Sequence, residues 1–139
     1  MATRCKVVGV YAVKDDTGKT AAIAATTLFT PAVTGMYRIS IYLQVTTAAS
    51  TSSTLGGATG VVITYNDGDG NVAQSVTAAL HTTAGAVAIN STGNTTTTNL
   101  NGTMVINART GVAIQYAVGY TSVGATAMVY AAHLRCEPV

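Results

Sequence analysis

Thr26-Thr27-Leu28-Phe29-Thr30-Pro31-Ala32-Val33-Thr34-Gly35-Met36-Tyr37-Arg38-Ile39-Ser40-Ile41-Tyr42-Leu43-Gln44-Val45-Thr46-Thr47 is the stretch whose reading decides the fold. A short strand enters a turn between Pro31 and Gly35 and emerges as a long alternating strand. Side chains of a strand point to opposite faces in turn, so Tyr37, Ile39, Ile41, Leu43 and Val45 share one face. Met36, Arg38, Ser40, Tyr42 and Gln44 share the other. That second face is only partly polar, because Met36 and Tyr42 lie on it. Such a strand implies a core on one side and a surface suited to a partner on the other.

Length and composition narrow the class. A chain of 139 residues reads as one domain, 1–139, long enough to bury a real core. Only 9% of its residues are charged, against roughly 25% in an ordinary soluble domain. Half of the charges precede Thr20: Arg4, Lys6, Lys14, Asp15, Asp16 and Lys19. From Thr20 to Leu134 only Arg38, Asp67, Asp69 and Arg109 are charged. Threonine takes over the polar role, with 25 copies.

Two readings account for the shortage of charge. One is a β protein coated with threonine, a polar residue of high strand propensity. The other is a subunit whose surface is covered by copies of itself, where charges are costly to desolvate. The second is the better fit, since a net charge of +2 gives an isolated apolar monomer little protection.

At 48% hydrophobic residues, the chain is far from the composition of disordered segments. No run approaches the roughly 18 apolar residues of a membrane span, so no membrane is expected as a partner. Val7 to Val13 is a brief apolar run that stops at Lys14-Asp15-Asp16, a poor secretory signal, so synthesis in a host cytoplasm is expected. Basic residues are scattered and no aromatic residues interleave with them, so no nucleic-acid partner is expected either.

Helix signals are almost absent, because Ala21 to Ala25 and Ala78 to Leu80 are too short and are flanked by Thr, Val and Gly. The pattern predicts strands at about 4–13, 23–30, 36–47, 61–65, 72–80, 84–89, 103–108, 112–121 and 125–136. Asp15-Asp16-Thr17-Gly18, Asn66 to Asn71, Arg109-Thr110-Gly111 and Gly124 are read as turns, and Ala48 to Gly60 and Ser91 to Asn99 as loops. Eight or so antiparallel strands in one small domain predict an all-β sandwich. The first and last strands are apolar on both faces, and a neighbouring subunit is the natural cover where no helix exists.

Leu28-Phe29-Thr30-Pro31 followed by Gly35-Met36-Tyr37-Arg38-Ile39-Ser40 resembles the Phe, Pro, Gly, Tyr and Ser pattern that opens the core of complement-type and tumour-necrosis-factor-like jelly rolls. The glycine turn and apolar final strand from Gly124 to Leu134 are similar as well. The resemblance covers about a fifth of the chain by motif. It implies an antiparallel jelly-roll sandwich that packs as a homotrimer. The texture also resembles small bacteriophage structural proteins of that fold, without the secretory signal or stalk of the secreted members.

Candidate chemistry is sparse. Gly18-Lys19-Thr20 resembles the end of a phosphate-binding loop, yet Val13 stands where the motif needs its first glycine. Asp67-Gly68-Asp69-Gly70-Asn71 offers two carboxylates and an amide to calcium, but it also has the composition of a hairpin turn. His81 and His133 have no acid near them in sequence to build a nucleophilic site. His133 and Cys136 are three apart on a strand, hence on opposite faces. Cys5 and Cys136 fall on the first and last strands, so a cross-strand disulfide and two free buried thiols both stand open. No catalytic residue, cofactor or metal is assigned.

The resulting expectation is a non-enzymatic structural protein of a virion, a capsid decoration or cementing trimer that contacts the major capsid protein or another virion component. The alternative is a carbohydrate- or receptor-binding head of a phage or surface fibre, with its platform on 48–60 or 91–99. Arg38 and Arg109, isolated in a neutral middle, are expected to make buried or interfacial hydrogen bonds, with Tyr42 and Tyr130 as packing anchors of the interface.

Overall fold

The computed structural model describes residues 12–55, 61–77, 81–82 and 99–139, and every regular element among them is a β-strand. Strand β3, Gly35–Thr47, is the longest and occupies the centre of a five-stranded sheet. On one side it pairs with β11, Val129–Pro138, from Tyr37 opposite Pro138 to Thr47 opposite Val129. On the other it pairs with β8, Asn99–Ala108, from Gly35 opposite Ala108 to Gln44 opposite Asn99. Strand β1, Ala12–Lys19, lies outside β11, and the two-residue β7, His81–Thr82, lies outside β8, so the order is β1-β11-β3-β8-β7.

A second sheet has the order β2-β9-β5-β6, built from Ile23–Phe29, Ile114–Val118, Val61–Asn66 and Ala73–Thr77. A short ribbon pairs β4, Ser52–Leu55, with β10, Tyr120–Val123. All pairings are antiparallel.

The apolar rows of both sheets form one core. Ile39, Leu43 and Val45 of β3 and Tyr130, Ala132, Leu134 and Cys136 of β11 meet Val61 and Ile63 of β5 and Ile114, Tyr116 and Val118 of β9, all essentially sealed from solvent. Two antiparallel sheets sharing one core make the architecture β-sandwich-like, and each large apolar side chain so buried contributes roughly 1.5–3 kcal/mol. The row on β3 is the one its alternation predicts.

The turn that opens β3 is tied down by the turn after β8. Gly111 N donates to the Pro31 carbonyl at 2.8 Å, Thr110 Oγ1 to the Ala32 carbonyl at 2.9 Å, and Thr110 N to Thr34 Oγ1 at 3.0 Å. Tyr37 OH donates to the Val33 carbonyl at 2.6 Å, and Pro31 is buried. The Phe-Pro-Tyr signature is thus a rigid corner, with the Phe29 and Tyr37 rings 5.7 Å apart.

Several boundaries differ from expectation. Asp15 to Gly18 is not a turn: β1 continues through it with a bulge between Asp16 and Lys19, and Gly18 takes a φ of 64°. The carboxylates hold it there, since Asp15 faces His133 and Asp16 turns inward to Tyr116. Part of the expected loop 48–60 is β4, a strand of Ser and Thr that period-two hydrophobicity does not register. The expected strand 112–121 is split into β9 and β10, and the last strand begins at Val129 and runs to Pro138. Ala125 to Met128 instead wraps over Ser122, whose Oγ accepts from Met128 N at 2.8 Å. The hairpin β5–β6 around Asn66 to Asn71 follows the prediction. Expectations for 4–11, 56–60, 78–80 and 83–98 lie outside the described residues.

Gly124 has a φ of 120°, and a Cβ there would stand 2.3 Å from Ser50 Oγ and 2.9 Å from Thr51 N. Gly124→Ala is therefore expected to destabilise the fold by about 2 kcal/mol or more, read from urea denaturation.

Alkaline pH provides a second test. Burial, followed by the charge of Asp16, pushes the Tyr130 phenol up to about 12. Burial, followed by Glu137, pushes the Cys136 thiol up to about 11, and Tyr116 moves in the same direction for the same leading cause. Above the ordinary values of 9.0 and 10.0 the unfolded chain loses these protons first, so folding stability falls as pH rises. The denaturation midpoint is expected to hold below about pH 9 and to drop through pH 12, with Tyr130→Phe removing part of the loss.

Candidate functional site

The outward face of the five-stranded sheet carries most of the unusual side chains, arranged in rows by the strand register. One row is Asp15, His133, Tyr42 and Asn101. The next is Val13, Arg135, Ser40 and Thr103, and beyond it come Glu137, Arg38 and Val105. Met36 and Asn107 close the face. Asp15 Oδ1 lies 2.5 Å from His133 Nδ1, and the His133 and Tyr42 ring centroids are 6.2 Å apart. Arg38 Nε donates to Glu137 Oε1 at 2.8 Å, and its second nitrogen, Nη2, reaches the same oxygen.

One end of the sandwich carries several exposed apolar side chains among the polar residues of its turns. Met36 is 51% exposed, Val105 50% and Val139 77%, and Val139 N donates to the Met36 carbonyl. Val33 and Val72 are also exposed and belong to turns at this end, the Pro31–Gly35 corner and the β5–β6 turn. That second turn docks on β8, with Gly68 N donating to the Asn107 carbonyl at 3.0 Å. Arg109 sits at the same end, its amide donating to the Asn66 carbonyl at 2.9 Å. Exposed apolar groups gathered in this way mark contact surfaces.

Two shallow hollows open on the surface. One, about 320 Å³, is lined by Asp15, Ser40, Ile41, Tyr42, His133, Leu134 and Arg135. The other, about 350 Å³, lies along β5, β6 and β9 and has no carboxylate or cation in its lining.

The four predicted contact residues separate. Arg38 and Tyr42 are exposed on the outward face, and Arg109 is half-buried in the end turn. Tyr130 is corrected: it points inward with no exposure, donates to the Ala21 carbonyl at 2.9 Å and stacks on Tyr120. It anchors the chain's own core, because its position on β11 shares the face of Ala132 and Leu134. Sequence reading assigned no face to the β11 tyrosine beyond its alternation, and both faces of that strand were apolar.

The remaining candidates have structural work. Asp67 Oδ1 accepts the amides of Asp69 at 2.9 Å and Gly70 at 3.1 Å, and Asp69 Oδ2 accepts from Asn107 Nδ2 at 3.3 Å. The turn weighed for calcium therefore uses Asp67 Oδ1 on its own loop and Asp69 Oδ2 on β8. Lys19 ends β1 with no helix after it and pairs with Asp16 at 3.6 Å. Cys136 is a buried thiol on the opposite face from His133, as the spacing predicted, while Cys5 lies outside the described residues. His81 is in β7, opposite Asn101.

Sequence reading missed the Asp15–His133 pair, since 118 positions separate the partners. It also missed a wider property. All five acidic side chains of the protein are used internally: Asp15 on His133, Asp16 on Tyr116 and Lys19, Asp67 and Asp69 on the turn, and Glu137 on Arg38.

Known protein families and curated proteins give no match to this chain.

The Arg38–Glu137 pair is about half exposed, so solvent screens it and it adds little to folding. Arg38→Ala is expected to change unfolding free energy by less than about 1 kcal/mol in urea titration.

Proposed function

We propose that this chain is a non-enzymatic building block of a virus particle, a decoration or cementing protein of jelly-roll type that associates as a homotrimer and seats on a capsid component. The observation that carries the reading is the apolar end formed around Met36, Val105 and Val139, in a chain with so little charge to keep it apart from others. The strand order β1-β11-β3-β8 over β2-β9-β5-β6 fits the jelly-roll expectation drawn from the Phe-Pro-Gly-Tyr corner. Arg38, held by Glu137, and Arg109 border the apolar end and supply polar rim contacts.

Among the described residues no group of three or more His, Cys, Asp or Glu side chains is gathered as a metal site would need. The Asp15–His133 pair lies on an open sheet face. The hydroxyls that share its hollow are on Ser40, across from Arg135, and on Tyr42, across from His133.

Light scattering on a size-exclusion column at micromolar concentration is expected to give three times the 14.0 kDa chain mass. Met36→Lys and Val105→Lys, which place charge on exposed positions, are expected to shift the mass toward the monomer with the circular dichroism spectrum unchanged. A folded wild-type monomer at that concentration would overturn the assembly. Mass spectrometry of purified particles of the encoding virus is expected to find the chain at structural copy number.

A further inference from the structure

We propose that the 320 Å³ hollow on the outward face of the five-stranded sheet binds a hydroxylated carboxylate, the chemistry of a uronic acid unit in a glycan. The proposal goes beyond the structural role and does not depend on the assembly state.

The hollow is a square of four side chains, with the Asp15 carboxylate beside its His133 corner. Arg135 stands opposite Ser40 and His133 opposite Tyr42, and two-residue spacing along each strand puts all four on one face. Ile41 and Leu134 contribute its floor, since their side chains are turned into the core. Ser40 is the small member of the square and leaves the space. The volume is at the low end of the roughly 300–1,000 Å³ of small-ligand sites.

Charge points to an anion from outside. The Arg135 guanidinium makes no ion pair or hydrogen bond with any described residue, and Arg38 beside it is taken by Glu137. Each acidic side chain that a second copy would present already holds a partner within its own copy: Asp15 His133, Asp16 Tyr116, Asp67 and Asp69 the β5–β6 turn and Asn107, and Glu137 Arg38. A guanidinium fork fits the two oxygens of a carboxylate.

The remaining groups select what the carboxylate is attached to. Ser40 Oγ and Tyr42 OH hydrogen-bond to no described residue, and each both donates and accepts, as sugar hydroxyls require. Asp15 holds His133 by Nδ1, which leaves Nε2 on the opposite side of the ring from that carboxylate. The Tyr42 ring, its centroid 6.2 Å from that of His133 and tilted 40° to it, offers an aromatic face for the C–H side of a pyranose. A bare inorganic anion uses the guanidinium and leaves the rings and hydroxyls idle.

The test is an amide NMR titration of the full chain with sodium D-glucuronate, D-glucose, sodium acetate, sodium sulfate and a pentaglutamate peptide, at one ionic strength. Glucuronate is expected to give saturable shifts centred on residues 40–42 and 133–135 and to bind more tightly than each of the others. Arg135→Gln is expected to weaken it by about tenfold or more, as loss of a charged hydrogen bond does. Tyr42→Phe, which keeps the ring, is expected to weaken it several-fold. No saturable shift at these residues overturns the site. Equal binding of acetate or sulfate overturns the hydroxylated ligand, and tighter binding of pentaglutamate reassigns the hollow to an acidic protein partner. Each result stands whether the chain is trimeric or monomeric, so it is separable from the assembly measurement.

Discussion

The register of β3 is the constraint on which the rest of the molecule depends. It is fixed from both sides, by β11 from Tyr37 to Thr47 and by β8 from Gly35 to Gln44. A slip of one residue would send Ile39, Ile41 and Leu43 to the surface and bring Arg38, Ser40 and Tyr42 into the core. Nothing in the core answers a guanidinium there, since the facing sheet presents Val61, Ile63, Ile114 and Val118. Because β3 cannot slip, the pairings of β11 with β1 inherit its register, and Asp15 is delivered to His133. The outward face is thus a consequence of the inward one.

Much of this was legible in the chain. The buried row Tyr37 to Val45 follows from alternation alone, and the corner between Pro31 and Gly35 follows from its turn residues. The β5–β6 hairpin was legible because Asn-Asp-Gly-Asp-Gly-Asn has few other uses. What failed did so for physical reasons. Asp15 to Gly18 looks like a turn locally, but a bulge and two long-range contacts from its carboxylates keep it in the sheet. Ser52 to Leu55 becomes a strand because β10 is there to pair with it, which no local propensity records. Tyr130 shows the limit of pattern reading at a strand with two apolar faces: alternation divides the residues into sets without saying which set is inside.

The candidate site was less legible than the fold. Arg38 and Tyr42 are on the open face because they are out of phase with the core row, which the sequence does state. Their partners are Glu137 and His133, about a hundred positions away, and no local pattern links them. Scarcity of charge was visible from composition. That Asp15, Asp16, Asp69 and Glu137 each find a partner far along the chain was not, since those contacts form only when the strands are assembled.

That internal use of acids shapes what the surface offers to other molecules. A protein with free carboxylates on its surface can satisfy an arginine of a neighbouring copy, and its contacts become self-complementary in charge. Here each carboxylate already has a partner within the fold, so a contact between copies would draw first on apolar groups and neutral hydrogen bonds. Along β3 the two kinds of surface are separated in order. Met36 and Arg38 belong to the end where apolar side chains gather, and Ser40 and Tyr42 belong to the polar hollow beside Arg135. Both lie on one strand because alternate positions of β3 are free to vary once the inward row is set. The strand that must be apolar on one side is therefore the strand best placed to carry two different surfaces on the other.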